Sequence, residues 1–208
     1  METGAYLVED DYDSDFRHEG SPLTALKGLD RCGSVIYLGT FSKSIGAGLR
    51  LGYMVVPEEL AEPAIAIKTL LNNGQPWLDQ AVVADFIRSG DFASHLRRIR
   101  RTYLLRRDAL VGALLEHFGP VELSGVEGGM HLAWALPTHF PPAAELARLV
   151  RVKGVVLYPL ASAAASCGRM EGIVRRLILL GYSSLTERQI REGVARIADA
   201  LTRAGIRS

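Results

Sequence analysis

The chain has 208 residues, with 24 Lys plus Arg against 23 Asp plus Glu, a formal net charge of +1 and 48% hydrophobic residues. That length buries about 70% of the unfolded surface in one soluble globular domain, so stability requires neither disulfides nor a structural metal. Cys32 and Cys167 stand far apart without metal-ligand company, no apolar run approaches the roughly 18–20 residues of a membrane span, and the near-zero charge gives no global argument for a polyanion binder.

In chain order, short apolar runs at 5–8, 34–38 and 51–56 predict strands, each followed by polar or glycine-rich residues, where ligands sit in open α/β sheets. The chain enters the buried-looking run Tyr6-Leu7-Val8 almost at once, as both a natural domain that begins on a strand and a piece excised from a longer one would. Pro57-Glu58-Glu59-Leu60 opens a helix, and a second helix is expected over 77–88, stopping near Gly90. From 92 to 118, Phe92, Leu96, Ile99, Tyr103, Leu110 and Leu114 share one helical face, with the arginines around the rest of the circumference. Beyond Gly119-Pro120 the pattern shortens to strands at 121–123, 131–136, 155–158 and 177–182, and a helix through 146–150. The last helix starts on a capping box, Thr186 with Gln189, with Leu185 and Ile190 as a hydrophobic staple; Ile190, Val194, Ile197 and Leu201 form its buried face. The fold class is therefore α/β with parallel strands in the first part and a smaller α+β second part. The division is placed at 1–90 and 91–208, through the long helix.

Two segments carry chemistry. In Gly39-Thr40-Phe41-Ser42-Lys43-Ser44-Ile45-Gly46-Ala47-Gly48-Leu49-Arg50, an amine lies just past a strand among hydroxyls and glycines, with an arginine seven residues on. That set suits a phosphorylated aldehyde: Lys43 can form a Schiff base, and Thr40, Ser42 and Arg50 can bind the phosphate. Neither a dinucleotide fingerprint nor a phosphate-loop motif fits the spacing. Asp11, Asp13 and Asp15 resemble the start of a calcium loop, but counted from Asp11 the sixth position is Phe16 rather than glycine and the twelfth is Pro22 rather than glutamate, which excludes one. A carboxylate at a strand end beside a tyrosine can instead hold a pyridinium ring, the acid keeping the nitrogen protonated as an electron sink.

Together, EDDYDSDFR and GTFSKSIGAGLRLGY resemble the cofactor-binding half of fold-type-I pyridoxal-phosphate proteins, and more narrowly the aminotransferase-like domain of MocR-type regulators, a branch of the GntR family. Ser89-Gly90-Asp91-Phe92 with His95-Leu96-Arg97-Arg98, Gly128-Gly129-Met130-His131-Leu132 and Leu180-Gly181-Tyr182-Ser183 carry the same resemblance. It implies pyridoxal 5'-phosphate as cofactor, with Lys43 as the catalytic lysine bonded to it, Asp10 as partner of the ring nitrogen and Tyr12 as partner of the ring hydroxyl. Thr40, Ser42 and Arg50 would hold the phosphate. Asp11 is expected to face away, since alternate strand residues point to opposite sides. The resemblance also implies a homodimer when full length, a small-molecule effector or amino acid as ligand, and DNA contact through an N-terminal winged helix. That winged helix, and the upstream half of the cofactor domain, are expected to lie before this stretch.

One departure bears on activity. Aminotransferases of this fold carry a carboxylate-binding arginine where this sequence has Leu179, and Arg175 and Arg176 stand on the approach to the strand. The first reading is accordingly an effector domain in a cytoplasmic regulator; the alternatives are a class I/II aminotransferase and a truncated fragment without function. The arginine-rich helix is read as solvated or acid-paired, the five histidines show no metal-ligand spacing, and Trp77 and Trp134 are assigned to the core.

Overall fold

The computed structural model describes residues 4–21, 23–72, 77–162 and 171–206. Cys167 and the flanking segment 163–170 lie outside the described residues. The chain divides into two compact units, Met1–Ile99 and Arg100–Ser208.

The first unit holds a three-stranded sheet in the order β1 (Leu7–Asp11), β2 (Val35–Thr40), β3 (Gly52–Val55). β1 and β2 pair in parallel, with Asp10 opposite Leu38 and Asp11 opposite Gly39. The sheet is mixed: the β1–β2 pair is parallel as expected, and β3 departs from the parallel direction by running antiparallel to β2. The cause lies in the connection: residues 41–51 contain only turns, whereas a parallel return needs a crossover of a dozen or more residues, usually a helix.

β1 also begins and ends later than its apolar run, taking in Glu9, Asp10 and Asp11. Those acids are tolerated because they have partners or solvent. Glu9 accepts hydrogen bonds from the backbone amides of Leu26 (2.7 Å) and Lys27 (2.9 Å), capping the short helix α1 (Leu26–Leu29), whose N-cap Ala25 has no side-chain acceptor. Asp30 then fixes the start of β2, accepting from the amides of Cys32 (3.0 Å) and Val35 (2.9 Å), while Lys27 donates to the Val35 carbonyl at 2.8 Å.

Helices α2 (Glu58–Asn72), α3 (Trp77–Arg88) and the first turns of α4 (Asp91–Phe118) complete the unit. Two expectations about burial are overturned here. Tyr6, Leu7 and Val8 are exposed, because β1 has a ladder partner on one side only among the described residues. Trp77 is 75% exposed at the start of α3, and Leu70 of α2 is 85% exposed, so both helices present apolar faces that nothing among the described residues covers.

The second unit is an antiparallel sheet in the order β4 (Glu122–Ser124), β5 (His131–Ala135), β7 (Leu177–Gly181), β6 (Tyr158–Pro159). Of the strand expected at 155–158, only Tyr158 pairs, together with Pro159 beyond it; proline is admissible there because β6 is an edge. The core packs Leu110 and Leu114 of α4, Leu132 and Trp134 of β5, Leu146 and Val150 of α5 (Ala143–Arg151), Ile178 of β7, and Ile190, Val194, Ile197 and Leu201 of α7 (Glu187–Arg203). Trp134 is core as expected. α7 opens on the predicted capping box, with the Gln189 amide on Thr186 Oγ1 at 3.2 Å and Thr186 N–H on Gln189 Oε1 at 2.9 Å. The short helix α6 (Glu171–Val174) precedes β7.

The arginines of α4 are not all on a solvated face. Arg107 is buried, pairing with Asp108 at 2.9 Å and donating to the Val126 carbonyl at 3.1 Å. Arg106 donates to the Ser183 carbonyl and lies 6.0 Å from the Tyr103 ring centre. Guanidinium groups spent on carbonyls and rings of their own unit are anchors.

The backbone amide of Val35, followed by that of Cys32, by that of Ser34 and by Lys27, holds the Asp30 carboxyl down to about 2. A folded value below the ordinary one of about 3.9 means stabilisation that is complete above pH 4 and is lost as pH falls toward 2. Acid titration followed by amide exchange should therefore release Val35 N–H across that window in wild type, and an Asp30→Asn variant should remove the pH dependence.

Candidate functional site

Alternation along β1 and β2 sorts the sequence-predicted residues onto faces. In the parallel register Val8, Asp10, Ile36, Leu38 and Thr40 share one face, while Glu9, Asp11, Tyr37 and Gly39 share the other. Asp10 and Thr40 thus come to the same side of the sheet at the carboxyl ends of adjacent strands. Tyr12 follows β1 directly; the charge of Asp13, loss of hydration and the charge of Asp10 push its phenol up.

Beyond Thr40 the chain closes a single turn. The Ile45 amide bonds the Phe41 carbonyl at 2.8 Å, and Ser42 N–H donates to Thr40 Oγ1 at 3.1 Å. Lys43 sits in this turn with an exposed side chain, and Ser44 beside it is buried. Thr40 Oγ1 accepts from a backbone amide, which leaves its own proton for an anion. The turn is tied to α4 at two points: Phe41 meets Phe92 edge-on at 6.0 Å, and His95 Nε2 lies 2.8 Å from the Ser44 carbonyl. After Gly46 a 3-10 turn, Ala47–Leu49, delivers Arg50 in the left-handed region (φ 52°, ψ 32°), the one non-glycine residue with positive φ among the described residues. Such a conformation costs an L-residue roughly 1–2 kcal/mol, and backbone strain of this kind clusters at functional sites.

The opposite face is a locking network. Tyr37 donates to Asp11 Oδ2 at 2.7 Å, and Ser14 donates to the same oxygen from Oγ (2.7 Å) and to the other carboxylate oxygen from N–H (3.1 Å). Burial pushes the Asp11 carboxyl up, but the hydrogen bonds from Ser14 and Tyr37 outweigh it and the net shift is down. Burial first, then donation to Asp11 and hydrogen bonding with Tyr53, drives the Tyr37 phenol far up. Tyr53 reaches Tyr37 by crossing Gly39 so closely that a Cβ there would lie 2.3 Å from its ring. Asp11 therefore works on the side of the sheet away from Asp10 and Thr40.

In the second unit, Leu179 stands opposite Ala133 and Tyr158 and lines a cleft of about 630 Å³ with Gly181, Ser183 and Arg188. Arg176 is committed elsewhere: it donates to the carbonyls of Leu136 (3.1 Å), Pro137 and Phe140 (2.9 Å). Leu179 thus puts an apolar side chain on β7, and the Arg176 guanidinium, just before the strand, is engaged by backbone. Among the described residues there is no cluster of three or more metal-ligating side chains.

The profile of the family described as aminotransferase class I and II matches residues 2–197. The chain belongs to the aminotransferase class I and II family. Within it the chain is 38% identical over 201 residues to the HTH-type transcriptional regulator YhdI of Bacillus subtilis, covering 96% of this chain and 41% of that protein. It is 36% identical to the probable rhizopine catabolism regulatory protein MocR of Rhizobium meliloti, covering 94% of this chain and 39% of the regulator. The crystal structure of LysN, the α-aminoadipate aminotransferase of Thermus thermophilus complexed with N-(5'-phosphopyridoxyl)-L-leucine, superposes with a TM-score of 0.84 at 30% identity, over 98% of this chain and 51% of that one. The chain thus spans about two fifths of the length of these regulators and half that of the aminotransferase.

His95 and the tyrosine lock were not singled out by sequence. Phe92 and His95 at i, i+3 put two ring-bearing residues on one face of α4, and that spacing was the available signal for a face applied to the lysine turn. Two variants test the local geometry by urea denaturation. Gly39→Ala, which drives a methyl into the Tyr53 ring, is expected to destabilise by about 1–3 kcal/mol. Arg50→Gly, which relieves the left-handed backbone, is expected to leave stability unchanged or raise it by up to about 1 kcal/mol.

Proposed function

We propose that this chain is the pyridoxal-phosphate-binding, aminotransferase-like effector domain of a MocR-type transcriptional regulator. The observation that carries the reading is the β1–β2 register, which brings Asp10 and Thr40 to one face where the strand runs into the Lys43 turn. The donor set fits the cofactor: a carboxylate with a phenol two residues on, an exposed amine, a hydroxyl whose lone pair is already engaged by the Ser42 amide, and an exposed arginine on a constrained backbone. In this reading Asp10 holds the ring nitrogen and keeps its proton, Tyr12 donates to the ring hydroxyl, and Thr40, Ser42 and Arg50 bind the phosphate. Lys43 would supply the amine that condenses with the aldehyde, with release of water. Bound there, the cofactor supplies an electron sink for carbanion chemistry.

Residues 1–90 then form the later part of the cofactor domain, and 91–208 the bridging helix with the small domain. The exposed apolar faces of β1, α2 and α3 are consistent with a partner layer outside this stretch. DNA binding, effector recognition, homodimer formation and a cytoplasmic location belong to the same proposal and follow the kinship with the regulators.

A second reading, an active aminotransferase, is supported by the likeness to LysN. Against it stand Leu179 on β7 and the engagement of Arg176 by three carbonyls, which leave a substrate carboxylate without a bidentate clamp from these residues.

Addition of pyridoxal phosphate to the full-length gene product should give an absorbance band of lysine-bound cofactor that is absent in Lys43→Ala; identical spectra would refute cofactor attachment at Lys43. Addition of a panel of amino acids then separates the readings. Retention of the band supports the effector domain, and conversion to the pyridoxamine form by several amino acids supports the enzyme.

A further inference from the structure

The structure assigns to His95 the role of a positioning residue for the Lys43 turn, acting through the Ser44 carbonyl from a tautomer that Arg98 selects. The assignment rests on the reading of Lys43 as the cofactor lysine.

The hydrogen-bond chemistry favours one tautomer. A carbonyl oxygen only accepts, so His95 Nε2, 2.8 Å from Ser44 O, must carry a proton. A guanidinium only donates, so His95 Nδ1, 3.1 Å from Arg98 Nη2, must present a lone pair. Both contacts are met together by the tautomer with its hydrogen on Nε2, which each neighbour favours. Phe86, 5.7 Å from the imidazole between ring centres, holds its plane.

The carbonyl it grips is well chosen for control of the lysine. Ser44 is 2% exposed and follows Lys43 directly, so fixing its peptide plane fixes the chain on which the amine is carried. The contact comes from the same face of α4 that applies Phe92 to Phe41, so the turn is held on both sides of Lys43: by ring packing two residues before and by a hydrogen bond one residue after. Phe92 in turn packs on Phe86 at 5.9 Å, which joins both contacts into one aromatic group. Lys43 itself makes no part of this clamp, so its amine is left for chemistry while its backbone is restrained.

The test uses the full-length gene product with two variants. His95→Phe keeps a ring against Phe86 and removes the donor; His95→Gln puts an amide nitrogen where Nε2 stands. Loss of one hydrogen bond of this kind corresponds to roughly a three- to tenfold change in a local equilibrium. His95→Phe should accelerate amide exchange of Ile45 and Gly46 by about that factor without cofactor present, weaken pyridoxal phosphate binding by a similar factor, and alter the pH dependence of the Lys43-dependent absorbance band. His95→Gln should restore all three toward wild type.

Unchanged exchange in His95→Phe overturns the positioning role, whatever the cofactor does. Faster exchange with unchanged affinity and band overturns its bearing on Lys43. Equal defects in the phenylalanine and glutamine variants overturn the hydrogen bond as the cause. If His95→Phe fails to fold, His95→Asn, whose shorter amide does not reach Ser44, takes its place. Failure of the underlying cofactor reading is separately visible, as a wild-type protein without a Lys43-dependent band.

Discussion

The site hangs on the register of one parallel strand pair. Because side chains alternate along a strand, sliding β1 by a single residue against β2 would send Asp10 to the side of Tyr37 and bring Asp11 beside Thr40. Two features forbid the slip. Glu9 must remain where it caps α1, and Asp11 must remain where Tyr37 and Ser14 reach it. The acids that do no proposed chemistry are thus the ones that aim the acid that does. The Tyr37–Tyr53 contact extends this control to β3, since the passage of the Tyr53 ring over Gly39 fixes β3 against β2.

Much of the molecule was legible in the sequence where the signal was local. The bounds of α3, the capping box of α7 and the periodic face of α4 are written in residues three or four apart, and the structure keeps them. The lysine segment stands out in the sequence because its residue types crowd one loop, and the structure folds that loop into a single turn. β1 was misjudged because Glu9, Asp10 and Asp11 break the apolar run, and their strand conformation depends on partners 3 to 28 residues away: Ser14 and the α1 amides, then Tyr37 and the β2 ladder. The direction of β3 was misjudged for a topological reason, the want of a crossover helix, which hydrophobic pattern does not encode.

Arginines illustrate the same limit. The arginine-rich helix reads as solvated or acid-paired, yet Arg107 donates to the Val126 carbonyl, and Arg176, on the approach to β7, donates to the carbonyls of Leu136 and Phe140. Their partners lie 19 to 40 residues away in the chain, beyond any motif. Burial of the apolar residues fails to follow pattern in the opposite sense. Trp77, Leu70 and the run Tyr6-Leu7-Val8 have the composition of core and lie open, with nothing among the described residues packed over them.

Arg50 has a bearing on how such a sequence changes over time. Its backbone favours glycine, so folding alone would reward replacement of the arginine, and a single codon change can bring that about. An arginine that persists against that pull is retained by something other than the fold. On the proposed reading of Arg50 as a phosphate ligand, copies of this gene released from that demand should register the loss early at position 50, ahead of any drift in the strand residues whose partners hold the register in place.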